Sequence, residues 1–161
     1  MESEHQDTFV QYNNGIKTLY SMAVTYKAQK VDKDFAPQVI YIYGPPGSGK
    51  TRYVAQNEPN YYDVPPQDNY KWKDGYAGQD AVLYDNITNS TVTPTIFLKE
   101  IDRYFIQVPI KGAYIGWRPK RIYITSTQSP QQLATLGGFQ DPQELLRRIT
   151  EIKHLWSTFC K

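Results

Sequence analysis

The residues best suited to chemistry form the segment Gly44-Pro45-Pro46-Gly47-Ser48-Gly49-Lys50-Thr51, which fits the phosphate-loop pattern G-x-x-x-x-G-K-[ST] without a mismatch. A loop of this kind points backbone N–H groups at an anion, and the positive end of the following helix adds to the attraction. Pro45 and Pro46 have no N–H to donate, so the cradle must come from residues 47–51. The pattern assigns the Lys50 ammonium to the β and γ phosphates and the Thr51 hydroxyl to Mg²⁺. The segment therefore predicts a site for ATP and Mg²⁺.

The sequence around this loop predicts the elements that must position it. Residues 38–43 are β-branched and aromatic and are typical of a buried strand, and residues 50–57 can form a helix that Pro59 ends. Residues 80–86 then form an apolar run that reaches Asp85, where a carboxylate at a strand end would hold the Mg²⁺ shell. The alternative for Asp85 is an ordinary aspartate in a turn.

Downstream patterns predict a β-hairpin and further α/β elements. Residues 61–64 favour a strand, and Thr93-Pro94 starts a helix whose apolar residues extend to Phe105. Alternation in residues 106–110 and its return in 113–115 predict a hairpin with Lys111-Gly112 at its tip.

The last third of the sequence predicts one more buried strand and two helices. Residues 121–127 form the strand, which ends in hydroxyls. Ser129-Pro130 and Asp141-Pro142 start the helices, the second with a capping box, and that second helix carries Arg147-Arg148. Residues 149–156 fit either a helix or a final strand.

The amino-terminal residues predict a small helical segment. Asp7 can cap a short helix over residues 8–12, and Asn14 can cap a second with Ile16, Leu19, Tyr20 and Ala23 on one stripe. The pair is either an ordinary packing unit or a collar between subunits. Residues 30–37 are typical of a linker, so we divide the chain into a helical oligomerisation segment with linker, 1–36, and an ATPase domain, 37–161.

Composition limits the classes of function. The chain of 161 residues suits one domain, and 18 basic against 16 acidic residues give a net charge of +2, so any nucleic-acid contact must be local. Cys160 is the single cysteine, and two histidines, His5 and His154, cannot assemble a His/Cys metal cluster. No apolar run approaches the length of a membrane span, and the acidic start does not fit a secretory signal. We expect a soluble protein of a reducing compartment that does not enter a membrane.

Together the segments resemble the helicase domain of replication-associated (Rep) proteins of circovirus-like, circular single-stranded DNA viruses, which belong to superfamily 3. The resemblance covers nearly the whole chain and rests on residues 12–16, 44–51, 71–76, 78–79, 85, 102–104, 111–112, 124–126 and 147–150. It implies an AAA+-like α/β fold, with a mainly parallel sheet flanked by helices, in a hexameric ring around single-stranded DNA. It also implies the host nucleus. Full-length relatives carry an amino-terminal HUH endonuclease, whose paired histidines this sequence lacks.

The resemblance implies roles for individual residues. Lys111, with Gly112, corresponds to the pore lysine that grips DNA phosphates, and Thr127 lies in the polar sensor, where the family usually has Ser-Asn. Either Arg147 or Arg148 would be the arginine finger that enters the neighbouring subunit's site. Adjacent helical residues point about 100° apart, so only one of them is expected to do this.

One position departs from the family pattern. Where the family usually has a second acid after the metal aspartate, this chain has Asn86, whose amide can orient water but cannot accept its proton. Either another carboxylate serves, or hydrolysis is slow, or Asn86 was introduced to trap bound nucleotide. The sequence thus predicts an ATP-dependent DNA helicase or translocase. The alternatives are an ATP-gated oligomeric DNA-binding module with little hydrolysis and, less favoured, a small P-loop kinase.

Overall fold

The computed structural model describes residues 2–30 and 34–156, with side chains from residue 13 onward. The helices are α1 (Glu2–Gln29), α2 (Lys50–Asn57), the single turn α3 (Gln67–Tyr70), α4 (Pro94–Glu100), α5 (Pro130–Leu136) and α6 (Pro142–Leu146). The strands are β1 (Gln38–Tyr43), β2 (Tyr61–Asp63), β3 (Ala81–Tyr84), β4 (Ile106–Ile110), β5 (Ala113–Trp117), β6 (Arg121–Ser126) and β7 (Glu151–His154).

Five strands form one parallel sheet in the order β2-β3-β6-β1-β7. Because all five run the same way, their carboxyl ends meet at one edge, which carries the phosphate loop after β1 and Asp85 after β3. Strand β6 lies between these two strands and pairs with both. The predicted α/β fold with a mainly parallel sheet is confirmed.

Apolar side chains fill both faces of this sheet, as continuous apolar strands require. One face packs against α2 through Val54 and includes Ile40, Ile42 and Leu83. The opposite face holds the larger core and receives α4, α5 and the hairpin; its members include Tyr41, Tyr84, Phe97, Trp117, Ile124 and Leu133. The strand-end side chains therefore stand on a rigid, buried platform.

Strands β4 and β5 form a separate antiparallel hairpin, as the alternating sequence predicts. Its turn is Lys111-Gly112, and Gly112 has φ 88, a left-handed value that favours glycine. Val108 and Ile115 are buried in the middle of the hairpin, whereas both turn residues are exposed. The hairpin thus presents its lysine to solvent.

Two helix predictions are corrected by the structure. The amino-terminal residues form one continuous helix, α1, because the capping residues predicted to separate two helices lie inside it. Its buried side is formed by Ser21, Val24 and Ala28, and not by the predicted stripe. The helix that starts at Thr93 ends at Glu100, so Tyr104 and Phe105 lie beyond it.

Two other local predictions are resolved. Residues 151–154 form an edge strand paired with β1, which settles the ambiguity between helix and strand. Asp141 caps α6 through the N–H of Gln143, while the reciprocal capping box forms at Ser129 and Gln132 of α5. Residues 31–33 of the predicted linker, the side chain of His5 and the whole of Cys160 lie outside the described parts of the chain.

Candidate functional site

The phosphate loop lies at the carboxyl end of β1 and leads into α2. Gly47 and Gly49 have φ 76 and 86, in the left-handed region where a side chain would be strained. Gly44 is required for a different reason, because a Cβ there would lie 2.2 Å from the carbonyl oxygen of Leu155. The sequence therefore places glycines where the loop must turn and where β7 approaches it.

Lys50 closes the loop from its inner side. Its Nζ donates to the carbonyl oxygens of Gly44 and Pro45, each at 2.9 Å. Burial lowers the pKa of this ammonium, and the negative charge of Asp85 partly opposes that shift. Phosphate oxygens entering the loop would find this half-buried cation already aligned with it.

Asp85 is the acceptor on which two hydroxyl donors from neighbouring elements converge. Its Oδ1 accepts a hydrogen bond from Thr51 Oγ1 at 2.8 Å and another from Thr125 Oγ1 at 2.6 Å. The predicted metal pair, Thr51 and Asp85, is thus brought together by α2 and β3. Sequence reasoning missed Thr125; the hydroxyl residues at the end of β6 were a signal, but their proximity to Asp85 follows only from the strand order.

These groups fit Mg²⁺ that arrives with a nucleotide. A carboxylate and a hydroxyl are hard oxygen donors, and Mg²⁺ in such sites takes few protein ligands together with phosphate oxygens and water. Among the side chains that the structure describes, no group of three or more His, Cys, Asp or Glu residues could hold a metal alone. The residues present therefore fit a metal ion that phosphate oxygens would help to hold.

Asn86 directly follows Asp85 and has φ 56. Asparagine tolerates this left-handed conformation better than most residues. Its backbone N–H donates to Thr125 Oγ1 at 2.8 Å, and the residue is exposed. The structure thus presents a neutral residue at the site's surface, beside the Asp85 carboxylate.

The two residues of the predicted sensor differ in their surroundings. Ser126 is buried; its Oγ donates to the carbonyl oxygen of Ile87 at 2.6 Å and accepts from the N–H of Gln128 at 3.0 Å. Thr127 is exposed at the same end of β6. Ser126 therefore braces the strand end, and Thr127 is the one available to solvent or a ligand.

Asp63 adds a carboxylate that sequence reasoning missed. It ends β2, next to β3, and strand alternation places it on the face shared by Tyr61, Leu83 and α2. Burial raises the pKa of Asp63, and the nearby charge of Asp85 raises it further. A second acid thus lies within electrostatic reach of Asp85 although Asn86 is neutral.

The neighbouring arginines are clearly distinguished. Arg148 donates through Nη2 and Nε to Asp102 Oδ2, at 2.7 and 3.1 Å, and through Nη1 to the carbonyl oxygen of Glu144. The helix predicted to carry both arginines ends at Leu146, so Arg147 is its C-cap and Arg148 lies beyond it. Arg147 is exposed. The structure therefore ties Arg148 into the fold and leaves Arg147 facing outward.

The hairpin tip is held by a residue remote in sequence. The backbone N–H of Lys111 donates to both carboxylate oxygens of Asp74, at 3.2 and 3.3 Å. The Lys111 side chain extends from an exposed turn. Lys111 and Arg147 thus lie outside the hydrogen-bonded group around Asp85.

This arrangement agrees with comparisons to known proteins. The family described as RNA helicase matches residues 40–128, from β1 past the end of β6. The chain belongs to this helicase family. The match confirms the resemblance to superfamily 3 helicase domains and includes the phosphate loop, Asp85, the hairpin and Thr125.

Several viral replication-associated proteins are similar to this helicase chain. Those of beak and feather disease virus and porcine circovirus 2 are 34% and 32% identical, each over 92% of the chain and over 48% and 46% of their own lengths. That of human associated cyclovirus 1 is 31% identical over 95% of the chain and 54% of its own length. The chain thus spans about half the length of the curated relatives it matches.

Within the described residues, no helix combines the length and the apolar character needed to cross a bilayer.

Proposed function

We propose that this chain is an ATP-driven motor domain that moves single-stranded DNA during viral replication. The observation that carries the proposal is the convergence of Thr51 and Asp85, at 2.8 Å, beside the Lys50 ammonium. Mg²⁺ bound there would neutralise charge on the β and γ phosphates, which is the main requirement of phosphoryl transfer to water. The chain's own part is to hold the phosphates, orient the attacking water and exclude competing geometries.

The residues have four roles in this proposal. The loop from Gly44 to Thr51 binds phosphate, with Lys50 at the γ end, and Thr51 and Asp85 hold the metal. Thr127 and Asn86 orient water at the exposed edge. Arg147 would stabilise transition-state charge in an adjacent subunit's site, because Arg148 already pairs with Asp102.

We propose single-stranded DNA as the substrate because the similar proteins of circular DNA viruses are named for replication. Lys111, exposed at the hairpin tip, is the contact to phosphate. A ring of six chains would place six such lysines around the strand, which supplies a basic track despite the net charge of +2. In the full protein, an endonuclease domain would precede this motor, and the complex would act in the host nucleus.

The test is steady-state Mg²⁺-ATP hydrolysis with single-stranded DNA, with single-stranded RNA and without nucleic acid. We expect turnover that DNA changes, and its loss in Lys50→Ala. Because the matching family is described as RNA helicase, RNA is the necessary comparison. If RNA changes the hydrolysis rate and DNA does not, the proposed substrate is RNA instead of DNA. If the chain binds no nucleotide, the proposal is wrong.

A second function is favoured by one observation, the exposed neutral residue at Asn86. If this amide cannot replace the missing acid, ATP would hold a DNA-binding assembly closed without turnover. Asn86→Asp separates the two functions. Hydrolysis by the unaltered chain supports the motor, and Asp63→Asn is then the next variant to measure, because Asp63 is the nearby carboxylate. Hydrolysis by Asn86→Asp alone supports the ATP-gated assembly.

A further inference from the structure

The segment from Tyr70 to Asp74 contacts both the proposed nucleotide site and the hairpin. At one end, the Tyr70 hydroxyl donates to the main-chain carbonyl oxygen of Asp85. At the other end, the Asp74 carboxylate accepts from the backbone N–H of Lys111 at 3.2 and 3.3 Å. A stretch of five residues, 70–74, therefore joins Asp85 to the tip of the hairpin.

Lys73 fixes the middle of this segment. It is fully buried; its Nζ donates to the carbonyl oxygen of Tyr70 and, at 2.8 Å, to Glu100 Oε1. Its backbone N–H donates to the carbonyl oxygen of Pro109 in β4 at 2.9 Å. A buried ammonium that lost these partners would carry a large desolvation penalty, which holds Lys73 against Tyr70 and Glu100. The backbone bond to Pro109 joins the same residue to the hairpin.

Glu100 adds a second connection between the two regions. The hydroxyl of Tyr84, the residue before Asp85, donates to the Glu100 carboxylate. The backbone carbonyl oxygen of Glu100 accepts from Trp117 Nε1, in β5, at 2.9 Å. The end of β3 is therefore linked through Glu100 to both hairpin strands, by Trp117 on one side and Lys73 on the other.

The start of the segment is a strained turn. Asp68, Asn69 and Tyr70 have φ 52, 56 and 61, three consecutive left-handed residues. This conformation is uncommon for any residue other than glycine and especially so for bulky tyrosine. Burial of the Tyr70 ring and its bond to Asp85 hold the turn in place. Strain of this kind is typical of segments that switch between two arrangements.

We propose that Tyr70 and Asp74 are positioning residues that couple occupancy of the nucleotide site to the position of the Lys111 hairpin. A shift of the Asp85 main chain would alter its hydrogen bond with Tyr70, and the strained turn would rearrange. Buried Lys73 would then transmit this change to Pro109 through its backbone bond, and to the neighbouring Asp74. This coupling rests on the proposed function, since it joins the two sites assigned there. In this proposal, the effect of ATP on DNA binding passes through the segment and not through a direct contact between the two ligands.

The test is a measurement of thermodynamic coupling in the whole chain. The Kd of a fluorescent oligo-dT strand is measured with and without Mg²⁺ and a non-hydrolysable ATP analogue, and the ratio is the coupling factor. We expect a factor of about 5 or more for the unaltered chain, and by reciprocity DNA must change the analogue's affinity equally. In Tyr70→Phe the factor should fall toward 1 while each separate Kd changes less than about twofold, because only one hydroxyl is lost.

Tyr123→Phe is the matched control. It removes a tyrosine hydroxyl that donates to Glu58 at 3.0 Å, away from the segment, and should leave the coupling factor unchanged. Asp74→Asn is the second variant and should lower the factor as Tyr70→Phe does, with thermal unfolding used to show that each variant is folded. Retention of the full factor in both variants overturns the proposal, as does a folded chain that binds both ligands with no mutual effect. A chain that binds neither ligand overturns the proposed function itself.

Discussion

At the scale of single residues, the site depends on which polar groups already have partners. Hydrogen bonds from Thr51 and Thr125 orient the Asp85 carboxylate. The Ser126 hydroxyl is already hydrogen-bonded to main-chain atoms. Thr127 and Arg147 are exposed. Residues that are adjacent in sequence therefore differ in role, because Ser126 and Arg148 are hydrogen-bonded within the fold while Thr127 and Arg147 are exposed.

The two arginines give a prediction at this scale. Arg147→Ala should lower ATP turnover by roughly 10³-fold or more if it is the finger, with little change in unfolding free energy. Arg148→Ala should instead destabilise the chain by about 2 kcal/mol, because it leaves the Asp102 carboxylate without its charged donors. Urea unfolding and steady-state hydrolysis of both variants check this. An unstable but active Arg147→Ala together with a stable, inactive Arg148→Ala would reverse the assignment.

Glu58 gives a prediction about pH. Hydrogen bonds from Arg121 hold the pKa of Glu58 below its ordinary value of 4.5, despite the opposing effect of burial. Because the folded-state pKa is the lower one, this stabilisation is present above about pH 4.5 and is lost as pH falls through the folded value. Since Arg121 is partly exposed, the loss should be about 1 kcal/mol.

Glu58→Gln should therefore have a flatter profile of unfolding free energy between about pH 5 and pH 3. The control is Glu151→Gln, whose ion pair with Lys153 lies nearer the surface and should affect the profile less. If both variants flatten the profile equally, the Glu58–Arg121 pair does not contribute more to the pH dependence of stability than a surface ion pair.

At the scale of elements, the hairpin and the parallel sheet are distinct units joined by side chains. The hairpin has its own two-stranded ladder, and the sheet ends carry the phosphate loop and Asp85. Their connections pass through Asp74, Lys73 and Glu100. This separation allows the DNA contact to be removed by mutation while the nucleotide affinity of the DNA-free chain is kept.

Lys111→Ala tests that independence. Because Lys111 contributes only its backbone to the fold, the variant should keep nucleotide affinity and lose DNA affinity by about tenfold, with a shallower salt dependence. Fluorescence anisotropy at several salt concentrations measures both quantities. Lys99→Ala, which removes an exposed lysine from α4, is the control. Unchanged DNA binding in Lys111→Ala would remove the pore assignment.

At the scale of the whole molecule, α1 packs one side on the hairpin and exposes another. Gly116 N–H donates to Thr25 Oγ1 at 2.9 Å, and a Cβ at Gly116 would lie 2.6 Å from the Cα of Thr25, so helix and strand are in close contact. The outward side carries large, exposed apolar residues, and a cluster of such residues on a helix indicates a surface that binds a partner. These are Ile16, Leu19, Met22 and Tyr26.

We expect this outward side to help assemble the proposed ring. Leu19, 69% exposed, can be changed to Glu with little effect on the fold of one chain. The variant should shift assembly toward monomer by about tenfold in protein concentration and lower turnover in parallel, since the finger is supplied by a neighbour. Sedimentation velocity checks this, with Lys17→Glu as the charge control. If assembly is unchanged, the outward side of α1 does not contribute to the ring.

The sequence by itself determined the features that are encoded within short segments. The phosphate loop, the flanking strand at residues 38–43, the helix at 50–57 and the hairpin turn at Lys111 all follow from local patterns, and the structure places these elements at those residues. Local chain geometry suffices for them because strand, turn and helix signals act over a few residues. The family resemblance added the arginines and the sensor, but it could not choose between Arg147 and Arg148.

Only the tertiary structure decided which distant residues meet. Insertion of β6 between β1 and β3 brings Thr125 to Asp85, and the end of β2 brings Asp63 to the same face. The pairing of Arg148 with Asp102 and of Lys73 with Glu100 joins residues 46 and 27 positions apart. Periodicity shows which face a residue occupies, but strand order and side-chain pairing are set by packing of the whole core, so no local pattern could have predicted them.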